Sequence, residues 1–157
     1  MPPAALKDDF DRLYVEHLLA RLRESSMGSA VILAQEEVYD RDGKVVPGAG
    51  LFHVPNEYVL RLAKKHQEFI PAVSIHPGRP DAMDELERCL EGGAAMMKIL
   101  PNVQNIDCSN RKFTKFWERM SEAGLPLLSH TGGEKTLPVI DPELANPRHL
   151  ELPLQLG

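Results

Sequence analysis

The chain has 157 residues, enough for one ordinary domain with its own core. Lysine and arginine total 18 against 23 aspartates and glutamates, a formal charge of −5 with no basic run, which argues against nucleic acid as a partner. No apolar run approaches the ~20 residues that span a bilayer; the start, Met1-Pro2-Pro3-Ala4-Ala5, lacks the pattern of a signal peptide. The two cysteines, Cys89 and Cys108, lack zinc-type spacing, so the expected setting is reducing and cytoplasmic.

In chain order, residues 6–26 read as a helix with Phe10, Leu13, Tyr14, Leu18 and Leu22 on one face, Asp8 or Asp9 as its cap and Gly28 beyond its end. Ala30-Val31-Ile32-Leu33-Ala34 reads as a strand buried on both faces. The segment 35–53 reads as a loop or small hairpin, with Asp42-Gly43 turning between Val38-Tyr39 and Val45-Val46. Asn56 is a candidate cap for a helix through Tyr58–Ala63. A second strand follows at Phe69–Ile75, with Pro71 expected at its entrance because a central strand loses a ladder bond there. Asp81 caps a helix with Met83, Leu86 and Leu90 inward, ended by Gly92-Gly93. Ala95–Leu100 reads as the third strand, followed by an asparagine-rich loop. Phe113, Phe116, Trp117 and Met120 mark a helix closed by Gly124, and Leu125–Ser129 reads as the fourth strand. The proline-punctuated tail ends in a short helix near His149–Leu156.

Strands alternating with helices imply parallel pairing through right-handed crossovers. The fold class is therefore α/β. Two architectures fit: an open doubly wound sheet, or about four βα units of an eight-unit barrel, which needs ~250 residues when complete. Periodicity does not choose between them.

The chemistry gathers at strand ends. Pro126-Leu127-Leu128-Ser129-His130-Thr131-Gly132-Gly133-Glu134 delivers an imidazole to a strand tip among small polar residues. In barrels of this kind catalytic and metal-binding groups collect there. Lys98 interrupts an apolar strand, so it either snorkels to the strand end or faces a polar mouth and binds an anion. His76-Pro77 also follows a strand. Glu134 is a solvated loop carboxylate, an acid-base group, or an orienter of the imidazole. No base stands at readable spacing from either cysteine, and neither glycine pair matches a phosphate loop.

Met97-Lys98-Ile99-Leu100-Pro101-Asn102-Val103-Gln104, the stretch Gly124 to Glu134, and Val73-Ser74-Ile75-His76-Pro77-Gly78-Arg79-Pro80 together resemble the amidohydrolase superfamily. The likeness is greatest to the amidohydrolase-related branch of TIM-barrel hydrolases and decarboxylases. It is strongest over 30–157, within one domain spanning 1–157. The resemblance implies a partial TIM barrel and a divalent metal, zinc first and manganese or iron next. His130 matches the metal-binding histidine of the family's fifth strand. Lys98 takes the fourth-strand position, where some relatives carry a carbamylated lysine. By the same likeness Lys98 and Glu134 are catalytic, and His76, Asn102 and Thr131 bind the substrate. That substrate is a small molecule with an amide, ester, lactone or carboxylate group.

The sequence departs from the family in holding no His-x-His pair and no histidine after His149. The resemblance thus implies a barrel lacking its first strand and its last three. One expectation is an incomplete metal-dependent hydrolase. The alternative is a non-catalytic half-barrel that pairs with itself or completes a partner, so a homo-oligomer is expected. A small open α/β domain with a ligand at its strand ends is a third reading.

Overall fold

The structure, a computed structural model, describes the backbone of residues 3–50 and 52–156 and the side chains of residues 10–50 and 52–156. Four apolar runs form strands: β1 (Ala30–Leu33), β2 (Phe69–Val73), β3 (Met96–Ile99) and β4 (Leu127–Ser129). Helix α1 (Pro3–Glu24) precedes β1, and α2 (Asn56–Lys65) and α3 (Ala82–Glu91) carry the chain between successive strands. A short helix α4 (Pro101–Gln104) and then α5 (Thr114–Glu122) connect β3 to β4. Two 3₁₀ turns and α6 (Glu151–Leu156) follow β4.

Strand order decides the architecture. A doubly wound sheet reverses its order at a switch point and carries helices on both faces. Here the order is β1-β2-β3-β4 without reversal, and every neighbouring pair is parallel. The helices share one face. Val73, Ile75, Met97 and Ile99 pack against Leu86, Cys89, Phe116, Trp117 and Met120, while Ala30, Ile32 and Phe69 meet Leu19 and Leu22 of α1. Because strand side chains alternate, the other face carries Val31, Leu33, Ile70, Ala72, Lys98 and Leu128. An unreversed parallel sheet clad on one face is an arc of a (β/α)8 barrel, and the bare face is its interior.

Several local expectations change. Helix α1 starts at Pro3, so Asp8 and Asp9 lie inside it rather than capping it. Its core face is Leu19 and Leu22, with Val15 and Leu18 partly covered. Phe10, Leu13 and Tyr14 stand exposed, since the sheet is reached only by the last turns of the helix. Strand β1 is not buried on both faces: Val31 and Leu33 are 41% and 46% exposed on the inward side. Asn56 begins α2 rather than capping it; its side chain accepts from Ser74 N–H and donates to Glu85. Asp81 precedes α3 without a side-chain capping bond, because Arg79 takes its carboxylate. Met83 on α3 is exposed, and Ala82 and Cys89 join Leu86 in the core instead.

Pro71 sits inside β2, opposite Ile32, rather than at the strand entrance. Its carbonyl accepts from Ala95 N–H. A strand residue points its N and O to the same side, so the missing donor faces the turn where β3 has yet to begin, and no ladder bond is lost. The hairpin expected around Asp42-Gly43 is present as a Tyr39–Val45 bridge. Gly43 turns it at φ 77°, with Gly78 O too close for any Cβ.

Candidate active site

The register of β3 and β4 builds the site. Lys98 lies opposite Leu128 on the bare inner face, and His130, two residues on from Leu128, falls on the same face one step nearer the mouth. One carbonyl ties the two together: Ile99 O accepts His130 N–H at 3.0 Å and Lys98 Nζ at 3.0 Å. The lysine thus bends toward the C-terminal strand ends. Burial holds its ammonium below the usual lysine range, and the charge of Glu134 partly offsets this.

Glu134 is fixed by its own turn. Its Oε1 accepts the N–H groups of Thr136 and Leu137. The Thr136 donor, above all, keeps the carboxyl below its ordinary value. That leaves Oε2 facing His130 Nε2 at 3.9 Å, within ion-pair range but too long for a hydrogen bond. His130 Nε2 is buried and has no hydrogen-bond partner, although the ring as a whole is partly exposed. Gly132 makes the bend between the two residues at φ 89°, and its N–H is held by Ala145 O. Lys98, His130 and Glu134 therefore stand together at the mouth of the arc.

The other three candidates lie elsewhere. Thr131 is exposed beside His130. Asn102, on α4, is buried; its backbone oxygen accepts from Ile140 and Asp141, strapping the tail segment over the helix, and its Oδ1 has no partner. His76 is only 2% exposed, seated between Tyr39 and Phe113. Its Nδ1 accepts Gly78 N–H at 2.9 Å, so the proton is on Nε2, which meets Asn105 O at 3.3 Å. Burial depresses its pKa to about 4. The structure thus gives His76 a neutral packing role beneath the 35–54 loop rather than a place at the open mouth.

Sequence reading missed the polar frame around these groups. Glu36, just past β1, is buried and accepts Arg79 Nη1 at 2.8 Å, while Arg79 also grips Asp81 through Nε at 2.7 Å. Gln104 is fully buried; it accepts from Leu100 N–H and donates to Ser74 Oγ, stitching the tips of β2 and β3. A carboxylate two residues beyond an apolar strand was the available signal for Glu36. Gln104 has none, since the asparagine-rich stretch after β3 carries no helical pattern. Cys89 and Cys108 are free and buried, with thiols pushed up by burial to about 12, so neither is a nucleophile at neutral pH.

A catalytic metal takes about three protein ligands. Among the described residues no group of three or more histidines, cysteines, aspartates or glutamates converges on one point. The orphaned His130 Nε2 and the Glu134 Oε2 beside it suit a divalent ion as two of those donors. Among the described residues no helix is long and apolar enough to cross a membrane.

No curated protein matches the chain. The amidohydrolase family model matches residues 28–154, from the entrance of β1 into α6. Amidohydrolases are TIM barrels that generally use divalent metals, in keeping with the four-unit parallel arc and the imidazole at its mouth. The chain belongs to the amidohydrolase family.

Proposed function

We propose that this chain serves a metal-dependent hydrolase of the amidohydrolase-related type, acting on a small molecule with an amide, ester, lactone or carboxylate group in a reducing, cytoplasmic setting. One observation supports this most: an unpartnered imidazole nitrogen of His130 beside Glu134, on the same face and at the same end as Lys98. His130 Nε2 and Glu134 Oε2 would hold the ion, zinc first and manganese or iron next. When bound, such an ion polarises a carbonyl and acidifies water. Lys98, with an ammonium partly withdrawn from water, binds the substrate's anionic group or the oxyanion that develops from its carbonyl. Glu134, its Oε1 held by the Thr136 and Leu137 N–H groups, keeps Oε2 free as the donor beside His130 Nε2 and its charge near the Lys98 ammonium. Thr131, exposed beside His130, is the substrate contact nearest this path.

The test is hydrolysis by the purified chain, supplied with zinc, manganese or ferrous iron, of small carboxylate-bearing aryl esters, amides and lactones. His130→Ala is expected to lower the metal-dependent rate by about 10²-fold or more. Wild-type protein no faster than buffer with each metal, or His130→Ala at the wild-type rate, would remove the reading.

A further inference from the structure

The chain after β4 turns back over its own strand tip and is fastened there. Gly132 N–H donates to Ala145 O at 3.0 Å, which closes 132–145 into a loop. Within the loop, the N–H groups of Ile140 and Asp141 both donate to Asn102 O, at 2.8 and 3.2 Å. Asn102 belongs to α4, all of whose residues are buried, so the loop is tied to a well-packed element. The loop has almost no core of its own: from residue 131 to residue 150 only Ala145 is buried, at 4% exposed. A segment with so few buried contacts opens locally at small cost unless particular bonds hold it.

Two residues make those fastenings meet. Asp141 Oδ1 accepts Glu143 N–H at 3.0 Å, and its backbone oxygen accepts Leu144 N–H at 3.3 Å, which starts the 3₁₀ turn Pro142–Ala145. That turn brings Ala145 O to Gly132, and the buried Ala145 methyl seats it. Gly132 is the bend between the two candidate donors, at φ 89°. Inside the loop Glu134 Oε1 takes the N–H groups of Thr136 and Leu137, which leaves Oε2 3.9 Å from His130 Nε2. The spacing of the two donors is therefore set by a loop whose closure depends on Asp141 and Ala145.

We propose that Asp141 and Ala145 are positioning residues for the His130–Glu134 pair, and that loop closure and ion capture are one linked equilibrium. An ion held by both donors keeps the two sides of the Gly132 bend together, and a closed loop offers the ion both donors at once. Each favours the other by the same factor. When the loop opens, Glu134 leaves with the chain beyond Gly132. His130 stays, because its backbone N–H is bonded to Ile99 O in β3. The apparent affinity for the ion then falls in proportion to the fraction of chains that are closed. The ion half of this proposal rests on the hydrolase reading above; the loop's hold on the pair does not.

Amide hydrogen exchange followed by NMR, first without metal, tests the loop on wild type, Asp141→Ala and Asp141→Asn. Exchange of a protected amide scales with its opening equilibrium, so losing the cap is expected to speed Gly132, Thr136 and Leu137 about tenfold. Met97, bonded inside the sheet to Pro126 O, is expected not to change. Asparagine caps as well as aspartate, so Asp141→Asn is expected to exchange like wild type. Zinc affinity is then compared between wild type and Ala145→Asp. A carboxylate does not stay buried unpaired, so this variant unseats the loop and is expected to bind zinc about tenfold more weakly or worse. Zinc is also expected to slow the same three amides in wild type. Asp141 is exposed, so its variants fold whether or not Ala145→Asp does, and far-UV circular dichroism confirms each. Unchanged exchange in Asp141→Ala, or wild-type zinc affinity in a folded Ala145→Asp, would overturn the proposal. A wild type that takes up no zinc removes the ion half and the hydrolase reading together, while the metal-free exchange still decides whether the loop holds the pair.

Discussion

Arg79→Met is expected to destabilise the fold by about 3–5 kcal/mol, because it leaves the buried Glu36 carboxylate without its cation. Methionine keeps the apolar stem and fills similar space, so lost packing contributes little. The Glu36–Arg79 pair at 2.8 Å joins the loop after β1 to the loop after β2, and Arg79 extends the link to Asp81 at the start of α3. Its loss is therefore expected to loosen the 35–54 segment along with the global change. The double variant Glu36→Leu, Arg79→Met removes both charges and is expected to recover part of the deficit. Urea unfolding of wild type, Arg79→Met, Glu36→Leu and the double variant measures this. A single-variant cost below about 1 kcal/mol would show that Glu36 is solvated rather than buried.

His76 carries the second large effect, through pH. Its folded pKa lies near 4, against 6.5 for the free side chain. The unfolded chain thus binds the extra proton first. Stability from this group is fully present above pH 6.5 and is lost as pH falls from 6.5 toward 4, by about 3 kcal/mol in all. The chief cause is burial, and a protonated Nδ1 would also confront the Gly78 N–H that it now accepts. Arg79 and Lys112 face the ring as cations and oppose protonation. Glu36 lies on the loop side, where it accepts His76 N–H, and the Tyr39 ring covers one face of the imidazole. His76→Gln keeps an acceptor and a donor but does not titrate, so its stability is expected to change much less between pH 7 and pH 4.5. Parallel pH dependence in the two proteins would contradict the buried, neutral assignment.

The four strands were legible because each apolar run is short and bounded by turns, and the class followed from their alternation with helices. Barrel or open sheet was not legible, because the choice lies in strand order, which no local pattern encodes. The inward exposure of Val31 and Leu33 was missed for the same reason: a run of apolar residues looks alike whether both faces are packed or one lines an open arc. At the site, the strand-tip position of His130 was readable, and the parity of Lys98 and Leu128 became so once the register was known. His76 and His130 share one local signal, each a histidine just past a strand. What separates them is tertiary: Tyr39, Phe113 and Asn105 close over His76, while the Gly132 bend leaves the ring of His130 partly open. Glu36 shows in the sequence only as a carboxylate past an apolar run, and Gln104 not at all, because their partners, Arg79 and Ser74, lie 43 and 30 residues away.

On the proposed reading, the imidazole that takes the ion is His130, at the mouth. The structure offers a rival pair on the outside, His149 Nδ1 at 2.9 Å from Asp107 Oδ1. Zinc uptake by equilibrium dialysis, compared among wild type, His130→Ala and His149→Ala, discriminates directly. The account predicts that His130→Ala abolishes zinc retention and that His149→Ala matches wild type. Zinc lost with His149 and kept without His130 would contradict it.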